Sequence, residues 1–245
     1  MTHKTKAIIL RTLKYGETSL VVTAFTHLFG VQTYMVNGVR TSSKKGSKAA
    51  LYQPGAILNM VVYHSEQKSM QRIREAEWAF LYQTVFSDVI KNSITLYIVE
   101  LINKCLKQPE QHTEFFDFCE DVLLHLDATS NSNTANLPLF FALQVPHFLG
   151  IQLQDNFSTT HTYLDLKEGC FVESQPIHPH FLSAEYAETV ALLLKVMHPT
   201  ELIAIPLHHE TRRNLLVQLE DYYRLQIQDF GKLKSLQILH EVLAP

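Results

Sequence analysis

The residues best suited to bind something are cations interleaved with hydroxyls and aromatics in the first third of the chain. The linker from Gly38 to Gly55 carries Arg40, Lys44, Lys45 and Lys48, with Ser42, Ser43 and Ser47 among them. Such a segment can follow phosphates with ammonium groups, hydroxyls and backbone N–H groups. Lys68, Arg72 and Arg74 fall at even spacing, which on a strand places all three on one face. Arg11 and Lys14 add charge to the first strand, at the margin of that surface. Tyr15, Tyr34, Tyr52 and Tyr63 are candidates for stacking on bases, with packing in or around a core as the alternative for each.

Enzyme motifs fail on spacing. A phosphate-cradling loop needs two glycines five apart followed by Lys and Ser/Thr, but Gly38 and Gly46 are eight apart and Ser47 follows. His209-Glu210 opens a zinc-protease helix motif that Arg213 breaks where the second His belongs. His240-Glu241 is too near Pro245 to complete one, and no Gly-x-Ser-x-Gly elbow exists. His161, Cys170, His178 and His180 share one segment, yet only His178 and His180 have short paired spacing, which favours surface histidines over a metal site. The chain is expected to have no catalytic residues, no bound metal and no cofactor.

The net charge of −3 conceals a strong asymmetry. Residues 1–75 hold eleven Lys and Arg against three acids (Glu17, Glu66, Glu75); the remainder holds ten against twenty-one. A basic unit suits nucleic acid or an anionic membrane surface, and the split implies two units with different partners. Three scattered cysteines (Cys105, Cys119, Cys170) make neither a disulfide framework nor a four-cysteine site. With no signal-peptide pattern and no apolar run of about 18 residues, the expectation is a soluble protein of a reducing cytoplasm.

These residues need elements to hold them. Ala7–Tyr15, Ser19–Phe25, Val31–Asn37, Ala56–Tyr63 and Ser69–Ala76 are rich in β-branched and aromatic residues and separated by turn signals. Five short strands suggest an OB-fold barrel, with an SH3-like barrel as runner-up. After Trp78 the period changes. Leu81, Val85, Val89, Ile94, Ile98 and Leu101 read as one long helix. A second helix starts at Thr113, and a third runs over about Leu137–Leu149, ended or kinked by Pro146. Residues 150–182 are irregular, with a hairpin over Tyr163–Leu166 and Cys170–Val172. Ser183 caps a helix to about His198 that turns Tyr186, Val190, Leu193, Leu194 and Met197 inward. Helices over about Glu210–Gln228 and Leu233–Val242 follow. The fold class is α+β: a five-stranded barrel domain at 1–77, then an all-α domain at 78–245 with an irregular insert.

At this point the chain resembles a known family. Lys6-Ala7-Ile8-Ile9-Leu10-Arg11, Tyr15-Gly16-Glu17-Thr18-Ser19, Val22-Thr23-Ala24-Phe25-Thr26 and Gly30 look like the opening of RecO proteins. So do the basic linker after Gly38-Val39-Arg40, Leu51-Tyr52-Gln53-Pro54-Gly55, Arg212-Arg213-Asn214-Leu215-Leu216 and Leu233-Lys234-Ser235-Leu236. The resemblance implies an OB fold that binds single- and double-stranded DNA and anneals complementary strands. It also implies partnership with RecR, and capture of the acidic tail of the single-stranded-DNA-binding protein (SSB), so that RecA loads on coated DNA. Nucleoid association in the cytoplasm follows from that role. Arg212, Arg213, Lys232 and Lys234 are the candidates for the acidic tail, with Leu215, Leu216 and Leu236 lining a slot for its terminal Phe ring. Many members carry a four-cysteine zinc finger between helices; only Cys170 remains here, so the insert is expected to be metal-free. A metal-dependent nuclease or other hydrolase on a similar basic barrel is the competing reading.

Overall fold

The computed structural model describes residues 2–39, 48–130 and 134–243, the side chain of Lys48 excepted. Strands β1 (Thr2–Tyr15), β2 (Ser19–Thr26), β3 (Gly30–Val36), β4 (Ile57–Tyr63) and β5 (Gln71–Trp78) close a barrel in the order β1-β2-β3-β5-β4. The parallel pairing of β3 with β5 and the antiparallel closure of β1 on β4 give the OB topology. Inward residues alternate as the pleat requires: Ala7, Ile9, Leu20, Val22, Ala24, Tyr34, Val36, Leu58, Met60 and Val62 form one buried cluster.

Two bulges set which side chains face out. On β1 the pairing shifts between Ile9 and Arg11, so Leu10 is the extra residue. Ahead of it odd-numbered residues point inward; beyond it Arg11, Leu13 and Tyr15 point outward. On β5 the shift opposite Val61/Val62 makes Arg74 the extra residue. Ile73, Ala76 and Trp78 then pack on the core while Arg72, Glu75 and Glu77 face out.

Two compact units emerge, one of residues 1–87 with 98–127, the other of residues 88–97 with 128–245. In the first, helix α2 (Thr113–Ala128) covers the outer side of β2, where Phe25 packs on Phe115 and Phe116 with ring centroids 5.6 and 5.3 Å apart. Helix α1 (Val89–Cys105) begins eight residues later than the apolar period from Leu81 suggests. The reason is Asp127. Its buried carboxylate accepts the N–H groups of Gln83, Thr84 and Val85 at 2.8–3.0 Å, which holds those residues in turns. Asp88 then caps α1 by accepting the N–H of Lys91.

In the second unit, α3 (Leu137–Phe148) is buried on all sides, as its nearly continuous apolar sequence requires. Pro138 occupies the first turn, where no N–H is needed, and Pro146 falls in the last turn before the helix ends. Around it pack α4 (Ala184–Leu194), a 3-10 turn at Pro199–Ala204 and α5 (His209–Gln226). Helix α6 (Lys234–Val242) follows. Met197 lies beyond the end of α4 and is exposed rather than inward, because the helix stops at Leu194.

The insert forms a small sheet, β7-β6-β8, from β6 (Tyr163–Asp165), β7 (Cys170–Val172) and β8 (Phe181–Leu182), with the expected hairpin as its β6–β7 pair. Its donors do not fit a zinc ion. Asp165 accepts the N–H groups of Lys167 and Glu168 with one oxygen and meets His178 Nε2 at 3.1 Å with the other. His178 Nδ1 accepts the N–H of His180. Burial, with Asp165 and Glu168 nearby, pushes the Cys170 thiol up, away from the thiolate a metal needs. Among the described residues no three His, Cys, Asp or Glu converge on a point.

Two outcomes follow from these contacts. Burial alone raises the Asp127 carboxyl, but the hydrogen bonds outweigh it and hold the group below the usual carboxylate range. A depressed folded pKa contributes stability above the unfolded value, near 4, and that stability is lost as pH falls through the folded pKa. Asp127→Ala should therefore cost about 3 kcal/mol at pH 7 in urea unfolding, and Asp127→Asn less, because an amide oxygen still accepts. Both variants should lose the acid-side dependence that Asp127 contributes. For the insert, elemental analysis should find no stoichiometric zinc, and chelator should leave the melting temperature unchanged. About one zinc per chain, lost in Cys170→Ser, is the contrary result.

Candidate nucleic-acid interface

The barrel registers assemble one outward row. Leu13 pairs with Val21, Val21 with Met35, Met35 with Arg72 and Arg72 with Tyr63. A second row joins Arg11, Thr23 and Thr33, and Tyr15 ends β1 opposite Ser19. Leu13, Tyr15 and Tyr63 are 46%, 58% and 49% exposed, high for apolar and aromatic side chains on a sheet. This face therefore offers two aromatic platforms, three apolar side chains (Leu13, Val21 and Met35), two threonines and the guanidinium groups of Arg11 and Arg72. In OB folds the outer face of strands two and three is the side that takes oligonucleotides. Beside it lies a groove of about 770 Å³ lined by Met35, Tyr63, Lys68, Met70 and Arg72.

The sequence-derived cations distribute unevenly over this geometry. Arg11 and Arg72 lie on the face. Lys14 pairs with Leu20, a core residue, so it follows the opposite phase from Arg11 and sits exposed at the strand end. Lys68 is not on β5, which starts at Gln71. It stands in the β4–β5 loop, which the Gln71 amide ties down by donating to Ser65 O and Lys68 O and accepting from Ser65 N–H. Arg74 occupies the bulge and pairs with exposed Glu75 at 3.2 Å, so the even spacing of Lys68, Arg72 and Arg74 does not produce a cationic ladder. Arg40, Lys44 and Lys45 and the Lys48 side chain lie outside the described residues. The ends of their linker are fixed: Val39 and Tyr52 are both in the barrel core. Val39 N–H donates to Thr18 O, and the Thr12 hydroxyl donates to Tyr52 O. The described ends of the linker thus lie against β1 at Thr12 and the β1–β2 turn at Thr18.

Two of the four tyrosines serve the core. Tyr34 and Tyr52 are buried, and burial raises the phenol of each. Leu13, Val21, Met35, Thr23 and Thr33 join this candidate face although the sequence alone does not single them out. Their signal was apolar or hydroxyl character on both faces of β1–β3, which strand alternation alone assigns to nothing.

In the second unit Arg212 is half-buried at a cavity of about 500 Å³ lined by Asn136, Leu202, Ile203, Pro206 and Leu207. Its guanidinium donates to Leu207 O and Asn136 Oδ1, and among the described residues no carboxylate pairs with it. Arg213, Lys232 and Lys234 are exposed. Leu215, Leu216 and Leu236 are buried, so none of them lines an open slot; the apolar wall beside Arg212 comes instead from the Pro199–Leu207 segment, where Ile203 is exposed. Glu220 accepts Leu233 N–H and so is engaged in starting α6.

Comparison with known proteins agrees with this architecture. The family described as recombination protein O, N terminal, matches residues 1–82, and recombination protein O, C terminal, matches residues 86–237. The DNA repair protein RecO of Phocaeicola vulgatus is 30% identical over the full length of both chains, and that of Flavobacterium psychrophilum 31% over the full length of both. The RecO of Christiangramia forsetii is 32% identical, over 97% of this chain and 98% of its own. Matches that run through both halves and leave almost no residue uncovered place the whole chain, barrel and helical part alike, in the RecO family of DNA repair and recombination proteins.

Proposed function

We propose that this chain is a non-enzymatic recombination mediator. It binds single- and double-stranded DNA, anneals complementary strands, and with RecR helps RecA load onto SSB-coated DNA in the cytoplasm, at the nucleoid. Residues 1–77 are the DNA-binding barrel, and the partner sites lie in the helical part, 78–245. The observation that carries the reading is the outward row Leu13–Val21–Met35–Arg72–Tyr63, flanked by Arg11 and Tyr15. Aromatic and aliphatic faces suit unpaired bases, and guanidinium groups suit the phosphates between them. Annealing needs no bond chemistry, only relief of strand repulsion. The acids of the basic region also argue against hydrolysis: Glu17 is in the β1–β2 turn, Glu66 in the β4–β5 loop and Glu75 paired with Arg74, so they do not gather around one ion.

The acidic SSB tail is assigned to the Arg212 cavity. A guanidinium with no carboxylate partner, half withdrawn from water, attracts a carboxylate strongly, and Ile203 with Leu202 offers apolar contact to a terminal ring. Arg213 lies one residue further along α5, and Lys232 and Lys234 flank the start of α6 as a second cationic cluster.

Two measurements test this. Binding of a single-stranded oligonucleotide should fall with salt at a log–log slope of roughly −3 to −4, for about four to six neutralised phosphates. Lys44, Lys45 and Lys48 changed together to Ala should flatten that slope. Tyr63→Ala with Tyr15→Ala should weaken binding by about 1–3 kcal/mol per base lost from stacking, while Tyr34→Phe leaves it unchanged. An unaltered affinity in the double tyrosine variant places the DNA elsewhere. For the tail, fluorescence anisotropy with an SSB tail peptide should show at least about tenfold weaker binding for Arg212→Ala with Arg213→Ala, near 1.4 kcal/mol. Bare-DNA binding should stay as in the parent. Parent-like peptide binding both in this variant and in Lys232→Ala with Lys234→Ala removes the tail from both clusters.

A further inference from the structure

The β4–β5 loop is a ridge with a cavity on each side. Gln71 closes it with three hydrogen bonds, two donated and one accepted, and at its root His64 stacks on Phe29 at 3.9 Å with rings within 12° of parallel, while His3 meets Phe29 edge-on at 5.2 Å. On one side is the groove of Tyr63, Met35 and Arg72. On the other is a larger cleft, about 870 Å³, between outward Val31 and Thr33 of β3 and the α1–α2 connection with Lys107 and Gln111. His64, Ser65, Lys68 and Gln71 line both.

The far wall of this cleft is held firmly. Gly30 sits at φ +61° with Glu110 O only 1.9 Å from where a Cβ would stand, so only glycine permits the α1–α2 connection to approach so closely. Gln111 Nε2 donates to His27 O beside it. The cleft is therefore pre-formed, and its volume lies within the range of about 300–1,000 Å³ of cavities that hold small ligands. Its lining contains two lysines, Lys68 and Lys107, against one acid, Glu66, with the Thr33 and Ser69 hydroxyls between. Thr33 also belongs to the second outward row with Arg11, so the cleft continues the barrel face rather than standing apart from it.

We propose that this cleft takes a second single strand of nucleic acid, so that one chain holds two strands on either side of the Lys68 ridge. The inference rests on the reading of the barrel face as the first DNA track. Its physical content is that two polyanions closer than a Debye length, about 10 Å, repel with little screening, and fixed cations between and beside them offset that repulsion. Lys68 stands between the two cavities; Arg72 and Lys107 stand on their outer sides. An acidic peptide would find the same lysines, but continuity with a face of stacking residues favours nucleic acid.

The test counts strands. Native mass spectrometry of the full chain with a short oligothymidylate should show two oligonucleotides per chain. Lys107→Glu, at an exposed position with the melting temperature checked, should retain the tighter oligonucleotide within about twofold, lose the second, and slow annealing of complementary strands about tenfold. Arg72→Ala with Tyr63→Ala should weaken the tighter one instead. A single oligonucleotide per parent chain, or unchanged stoichiometry and annealing in Lys107→Glu, overturns the second track while leaving the first intact. An acidic peptide that binds the parent, is lost in Lys107→Glu and leaves two-strand binding untouched also overturns it. Failure of the parent to bind any oligonucleotide instead strikes the reading of the barrel face itself.

Discussion

Everything proposed for the barrel face depends on one extra residue in β1. A 14-residue strand serves two neighbours, β4 through its first half and β2 through its second. Leu10 is a bulge in the β2 ladder just past the last residue paired with β4, and a bulge both bends a strand and reverses the in–out phase of the residues beyond it. Without it, Arg11, Leu13 and Tyr15 would continue the inward series of Ala7 and Ile9, and a guanidinium would enter an apolar barrel. With it, the same three residues stand outside beside Val21 and Thr23. Barrel closure and ligand surface are thus consequences of one local insertion, and the second bulge at Arg74 does the matching work on β5 by turning Ala76 and Trp78 inward.

That dependence explains what could be read from the sequence and what could not. Strand positions were legible because β-branched and aromatic runs end at turn residues, and the strands found differ mainly at their ends. Bulges leave no such mark. A strict alternation read through β5 put Lys68, Arg72 and Arg74 on one face, whereas a loop, a pleat position and a bulge hold them apart. The helical reading from Leu81 failed for a related reason. Apolar spacing was present, but Asp127, over forty residues away in sequence, takes the N–H groups that an earlier helix would have used. Long-range hydrogen bonds of this kind override local period, and no window of sequence contains them.

Charge was legible only in bulk. The excess of Lys and Arg before residue 76 falls on the barrel strands, their loops and the linker, but counting does not tell which cations are already engaged. Lys6 is held by both carboxylate oxygens of Glu120 at 2.8 Å, and Arg74 by Glu75. The outer side of β4–β5 is mixed, with Lys4 and Lys6 facing Glu75 and Glu77 around one cavity. Arg11 and Arg72 on the outward rows, Lys14 at the end of β1 and Lys68 in the β4–β5 loop are exposed instead.

The linker gains meaning from that placement. Its described ends are pinned in the core at Val39 and Tyr52, near Thr18 and Thr12. The outward rows carry two exposed guanidinium groups, Arg11 and Arg72, so under the proposed reading further phosphate attraction has to come from the linker lysines. Under that reading phosphate attraction and base stacking would fall to different segments: the linker lysines, and a face whose aromatic positions are fixed by barrel register. Separating the two lets a strand be gathered by charge and held by contact with its bases. Bases held only by stacking keep their pairing edges free, which is the condition a complementary strand requires.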